Sequence, residues 1–268
     1  MRGRVVPLTR SRRLICDLMH FAAGVPSVPV QRTMNLAPVV AARAACVHRP
    51  PWTAIFAKAF ALVAEETPPL RQAYCKFPWP HLYEYPESVA SIMIEREVEG
   101  APAVLALRIK GPSTRSLVDL GVVIREAMTA PIESVSSFHR ALQISGWPKP
   151  IRRAAWWLGL NVGRQRPNYF GTFGVSVYSS LGAESLHPLS PLTATVNYGV
   201  IAADGTVDVR IVYDHRVLDG ATVARALARM ERVLNATICS ELVEPQRHNA
   251  GSPKHRAAVG QLEPIPSR

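Results

Sequence analysis

The run Tyr213-Asp214-His215-Arg216-Val217-Leu218-Asp219-Gly220 sets a histidine on a short connection between two regular elements. An imidazole can take up a proton and return it near neutral pH, so His215 is a candidate general base. Such a base needs only a thiol or hydroxyl within hydrogen-bond reach. Before it, Val207, Val209, Ile211 and Tyr213 alternate with Asp208, Arg210 and Val212, which predicts a half-buried strand. After it, Val223, Leu227, Met230 and Leu234 recur at helical spacing, with Asp219 or Gly220 at the N-cap. His215 is therefore expected on a loop held by rigid flanks, where a base can be placed accurately.

The elements that would carry this loop can be read along the chain. A helix is expected from Thr9, with Leu14, Ile15, Leu18, Met19 and Ala22 as its apolar stripe and Gly24 and Pro26 ending it. Val25 to Met34 predicts a strand that its prolines push to an edge. Helices are expected over 51–66, 116–128, 132–144 and 148–160. Paired strands are expected over 88–97 and 103–110 around Glu99-Gly100. Strands over 173–178, 193–201 and 207–213 follow, the last two joined by an Asp204-Gly205 hairpin turn. Strands and helices without regular alternation predict an α+β fold. Residues 1–8 are expected to be a flexible arm, 9–244 one core, and 245–268 a disordered basic tail.

Composition narrows the function classes. The chain has 268 residues and 48% hydrophobic content, enough for a sizeable core. The longest apolar candidate, Thr53 to Ala64, is too short to span a bilayer and carries Lys58. No apolar segment follows the basic N-terminus, so a cytoplasmic location is expected. Cys16, Cys46, Cys75 and Cys239 form no Cys-x-x-Cys pair, and His139, His187, His248 and His255 have no metal-ligand spacing, so no metal is expected. The net charge is +11, with eight arginines before residue 50 against Asp17 alone. No nucleic-acid-binding motif accompanies them, and a basic surface equally suits a polyanionic cofactor. Trp147, Trp156 and Trp157 beside Arg152 and Arg153 are expected to be core and subunit contact rather than a membrane-surface helix.

Asp214-His215-Arg216-Val217 with Asp219-Gly220, a strand before it and a helix after it, resembles the catalytic signature of the dihydrolipoamide acyltransferases. These are core subunits of 2-oxoacid dehydrogenase complexes and relatives of chloramphenicol acetyltransferase. The shorter His-x-x-x-Asp-Gly also occurs in peptide-synthetase condensation domains. Further segments carry the resemblance over about residues 9 to 240. Arg12-Arg13-Leu14-Ile15-Cys16-Asp17-Leu18-Met19 is similar to the opening helix, Lys58-Ala59 to a later helix, and Pro69-Leu70-Arg71 to the stretch behind it. Gly171-Thr172-Phe173 followed by Ser179-Ser180-Leu181-Gly182 resembles a Gly-Thr-Phe-Thr-Ile-Ser-Asn-Leu-Gly segment, with three more residues between Phe173 and Leu181.

The resemblance implies a chloramphenicol acetyltransferase-like mixed sheet flanked by helices, assembled as homotrimers with sites between subunits. It implies acyl transfer between coenzyme A and a lipoyl-type thiol or another small nucleophile. His215 would be the general base, its ring oriented by its own backbone carbonyl. The oxyanion donor would be a serine: counting back from Leu181-Gly182 selects Ser179, counting forward from Phe173 selects Ser176, and Ser180 is a third choice. Asp219 would pair with Arg12, or with Arg13, to fix the loop, while Gly220 would allow close backbone approach; Asp214 is expected either to anchor the loop or to be a solvated strand end. Few residues precede the core, so no lipoyl group is expected on this chain. A lipoyl-bearing or other acceptor partner would bring it, with neither nucleic acid nor membrane as partner. The rival expectation is a non-catalytic trimeric scaffold of the same fold that binds partner proteins.

Overall fold

The computed structural model describes residues 3–244, so the tail expected over 245–268 lies outside the described residues. Helix α1 (Arg10–Ala22) starts at Thr9, whose hydroxyl accepts from the Arg12 amide, and leads into strand β1 (Ser27–Asn35). Helices α2 (Ala37–Ala45) and α3 (Trp52–Glu66) follow. A two-stranded hairpin of β2 (Gln72–Cys75) and β3 (His81–Glu84) comes next. Then come the long hairpin β4 (Val89–Val98) and β5 (Ala101–Lys110) and the helices α4 (Leu117–Thr129), α5 (Ser136–Ser145), α6 (Lys149–Asn161) and α7 (Arg166–Tyr169). Strands β6 (Phe173–Val175), β7 (Ala194–Tyr198) and β8 (Thr206–Asp214) lead to α8 (Gly220–Val233). A π-helical turn over Leu234–Ile238 joins α8 to α9 (Cys239–Val243).

The main sheet has the order β1-β8-β7-β6-β4-β5. Its pairs are antiparallel except β7/β6 and β6/β4, so it is mixed, as expected. β1 takes an edge, as its prolines require. Glu99 and Gly100 both have positive φ, the backbone of a two-residue hairpin turn whose twist suits the strands it joins. Gly205 turns the second expected hairpin with φ +84, and a Cβ there would lie 2.4 Å from the Ala37 amide nitrogen.

α3 is the central buried helix, with apolar residues on nearly every face. Phe56 stacks on Tyr198 at 4.0 Å and Phe60 on Phe173 at 4.4 Å between ring centroids. Its one buried cation, Lys58, donates to Glu241 at 2.5 Å, and the other Glu241 oxygen accepts from the Leu117 amide at the start of α4. A buried charge thus finds both a countercharge and a hydrogen-bonding role for that partner.

Sequence periodicity missed some elements. α2 and the β2–β3 hairpin are not among the elements expected from the sequence, and the helix expected over 132–144 is a 3₁₀ turn (Ile132–Ser134) followed by α5. The strand expected over 173–178 stops at Val175 and gives way to a 3₁₀ turn at Ser179–Leu181. Gly171-Thr172-Phe173 has a local physical explanation. Gly171 sits at φ +80 with the Val89 carbonyl 2.8 Å from where a Cβ would stand, Thr172 Oγ1 accepts from the Val89 amide at 2.9 Å, and Phe173 is fully buried.

Candidate active site at the end of β8

β8 delivers Asp214 and His215 to one end of the sheet. The His215 amide donates to the Pro26 carbonyl at 3.0 Å just ahead of β1, while the Val217 and Leu218 amides both donate to the Asp214 carbonyl. The loop is thereby closed into a tight turn before α8. Asp214 is buried and accepts from the Arg216 amide at 3.0 Å, from Arg216 Nε at 2.9 Å and from Arg216 Nη2 at 2.7 Å. This two-pronged, charge-assisted contact satisfies the buried carboxylate and ties down the loop. The Arg216 guanidinium lies over the Tyr74 ring at 4.5 Å, coupling the loop to the small hairpin.

The His215 ring is half-exposed and packs edge-on to Tyr213. Its Nδ1 lies 3.0 Å from the Leu218 carbonyl oxygen. A carbonyl can only accept, so Nδ1 carries the proton in the neutral ring and Nε2 presents its lone pair. Nε2 has no hydrogen-bond partner among the described residues. A carbonyl does orient the imidazole, as the resemblance implies, but it is that of Leu218, three residues on, rather than His215's own.

Asp219 is the N-cap of α8 without a side-chain cap bond; its carboxylate is 84% exposed and 3.8 Å from His215 Nδ1. The pairing with Arg12 or Arg13 is not made within the protomer: no ion pair joins either residue to Asp219 among the described residues. Arg10 of α1 pairs instead with Glu99 at 3.3 Å, and the helix's own Asp17 is fully buried between Arg152 and Arg153 of α6. Gly220 also departs from expectation. Its φ is not positive, and a Cβ would meet Tyr213 Oη at 3.4 Å, an ordinary contact, so close approach does not require glycine there.

The serines lie elsewhere. Val175 is level with Val196 and Val196 with Ile211, so Ser176 is level with Asn197 and Arg210 at the far end of β6. His215 is five residues farther along β8 and two strands over. At ~3.3 Å per residue and ~4.8 Å per strand, that is ~19 Å. Ser179 and Ser180 sit in the 3₁₀ turn that follows β6. The structure therefore gathers Asp214, His215, Asp219 and Gly220 at the end of β8, while Ser176, just past the short β6, stands level with the middle of β8. There Ser176 is buried, its amide donates to the Val196 carbonyl at 3.1 Å, and its carbonyl accepts from Asn197 Nδ2 at 2.5 Å. Asn197 Oδ1 is buried without a partner among the described residues.

Behind the histidine loop is a buried cation that the sequence did not single out. Arg166 donates to the Tyr74 carbonyl at 3.2 Å, the Leu160 carbonyl at 3.3 Å and the Pro191 carbonyl at 2.6 Å. Burial lowers its pKa, opposed by nearby Tyr85, Cys75 and Asp214. Burial in turn raises the Cys75 thiol and the Tyr85 phenol, with Arg166 opposing both. Asp214-x-Arg216 could have been noticed from its spacing, since an aspartate at a strand end can accept from the amide two residues on in a turn. Nothing in the sequence marked Arg166 or Asn197.

No protein-family model and no curated protein sequence matches the chain. Solved structures do match. One, from work on the role of a serine, a histidine and an asparagine in the catalytic mechanism of Azotobacter vinelandii dihydrolipoamide acetyltransferase, superposes with a TM-score of 0.64 at 17% identity, over 90% of this chain and 94% of that one. The fold is that of a dihydrolipoamide acetyltransferase core. A truncated catalytic core of the 2-oxoacid dehydrogenase multienzyme complex from Thermoplasma acidophilum matches at TM-score 0.61 and 18% identity, over 87% of this chain and 99% of that one. A chloramphenicol acetyltransferase matches at TM-score 0.51 and 12% identity, over 87% of this chain and all of that one. The α+β, chloramphenicol acetyltransferase-like architecture expected from the sequence is the one the chain adopts.

Proposed function

We propose that this protein is an acyltransferase that moves an acyl group between coenzyme A and a thiol of the lipoyl type or another small nucleophile. The observation that carries the proposal is the state of His215: Nδ1 is protonated against the Leu218 carbonyl, which leaves Nε2 open at the end of β8. An open Nε2 can accept the proton of an incoming thiol, making the thiolate that attacks the thioester carbon. As the tetrahedral intermediate collapses, the same nitrogen returns the proton to the departing sulfur. The developing oxyanion needs a donor, and Ser176 and Ser179 are the hydroxyls proposed for it. In the Azotobacter enzyme the asparagine follows the histidine by four positions, the spacing of His215 and Asp219 here.

The ~19 Å between His215 and Ser176 gives this reading its quaternary form. A histidine from one protomer and a serine from its neighbour can meet only if copies associate so that the His215 end of one sheet faces the Ser176 region of the next. A homotrimer with sites between subunits satisfies this. The arginine surplus would favour the phosphates of coenzyme A.

The direct test is thiol exchange between acetyl-coenzyme A and dihydrolipoamide. His215→Ala is expected to lower turnover by roughly 10²- to 10⁴-fold, the ordinary worth of a general base, with the assembly unchanged in mass. Wild-type turnover in that variant would end the proposal.

A further inference from the structure

Of the three tryptophans expected to be core or subunit contact, only Trp156 is buried. Ile151, Trp157 and Leu158 point outward along α6, and Trp147 stands exposed just before it. The β2–β3 hairpin continues this surface. Phe77 meets Trp157 edge-on at 6.1 Å, the Lys76 amide donates to Asn161 at the end of α6, and Trp79 projects from the hairpin tip with 68% of its surface exposed. Leu82 adds a further exposed apolar group on β3.

Charge decides what this face fits. Residues 72–83 and 147–164, which build it, contain no aspartate or glutamate, and the exposed Glu84 that ends β3 accepts from Gln72 Nε2 at 2.8 Å. Lys76, Lys149 and Arg164 are exposed around it, and no ion pair engages them among the described residues. Asp17 neutralises only one of the two arginines that hold it. Two copies meeting through this same face would set cation against cation. An apolar centre rich in tryptophan with a cationic rim has the chemistry of an interfacial contact, with rings at headgroup depth and lysines on lipid phosphates. Among the described residues no helix is long and apolar enough to cross a membrane, so the contact would be peripheral.

We propose that α6 and the tip of the β2–β3 hairpin form a docking face for an anionic lipid surface. The face is independent of the catalytic reading, although Tyr74 of the same hairpin lies under Arg216, so docking would hold the His215 end of the sheet close to the bilayer. The test is sedimentation of the full chain with vesicles of phosphatidylcholine alone or mixed with phosphatidylglycerol. Wild type is expected to pellet with the mixed vesicles, with tryptophan emission moved to shorter wavelength, and to stay in solution with the neutral ones. Trp79→Glu with Leu158→Glu should abolish this at unchanged circular dichroism. Lys76→Ala with Lys149→Ala leaves the apolar groups in place and should lower partitioning roughly thirtyfold, at ~1 kcal/mol per basic residue. The proposal is overturned if wild type fails to sediment with mixed vesicles, or if the lysine variant binds as wild type does. It is equally overturned if the variants change the mass of the assembly, which would make the face a contact between copies.

Discussion

At the scale of single residues, the proposed chemistry turns on which of two hydroxyls, inseparable in the sequence, would face the oxyanion. Counting from Leu181-Gly182 and from Phe173 gave different serines because three additional residues lie between those landmarks. The structure explains the conflict: β6 ends at Val175, and the additional chain is spent on the turn containing Ser179. Ser176 continues the β6–β7 ladder and is gripped at both its amide and its carbonyl, whereas Ser179 lies in a short exposed turn. A donor on a rigid element is better placed for an intermediate that exists only briefly. Ser176→Ala is therefore expected to reduce kcat in thiol exchange by ~10²-fold, in the range for loss of one oxyanion donor. Ser179→Ala should stay within about threefold of wild type, well short of a lost donor. The reverse ranking in steady-state kinetics would return the role to Ser179. His215, Asp214 and the helix start were legible because strand and helix periods break on either side of them. The Arg12–Asp219 pair, taken over from the resemblance, is a long-range contact that one protomer does not make.

At the scale of elements, the histidine loop rests on parts remote in sequence. The small hairpin, the α6–α7 corner and the segment before β7 converge on Arg166 through the carbonyls of Tyr74, Leu160 and Pro191. Thr193 Oγ1 adds a bond to the Gln72 carbonyl at 2.7 Å. Periodicity could find α3, β4, β5 and β8 because each has a long apolar face. It could not find β2 and β3, which are four residues each and held largely by hydrogen bonds to other elements. Replacing Arg166 by leucine would strip three buried carbonyls of their donor. The expected loss is about 3 kcal/mol of unfolding free energy in urea titration, against less than ~0.5 kcal/mol for Arg164→Leu on the surface nearby. Equal effects of the two substitutions would mean that the corner is not held through this guanidinium. Cys75 offers a second reading of the same region. Burial keeps its thiol protonated, so iodoacetamide at neutral pH should label exposed Cys16 and spare Cys75 until the protein unfolds. Early labelling of Cys75 would place the hairpin among the parts that open easily.

At the scale of the whole molecule, sheet register turns a question of mechanism into one of assembly. The sequence held both halves of the proposed site but no measure of the distance between them. That distance follows from β6, β7 and β8 lying side by side with Ser176 level with the middle of β8 and His215 just past its end, an arrangement fixed by long-range pairing. A single chain carrying both groups would be inactive alone. Co-expression of His215→Ala chains with Ser176→Ala chains separates the alternatives. If each site takes its histidine and serine from different protomers of a symmetric ring, random mixing leaves about a quarter of the sites with both wild-type groups. Thiol exchange should then recover to about a quarter of the wild-type rate per site, although each variant alone is nearly inactive. If both groups served one site within a chain, no mixture could contain an intact site. Activity of the mixed assembly no higher than that of its parents would show that His215 and Ser176 do not cooperate across an interface.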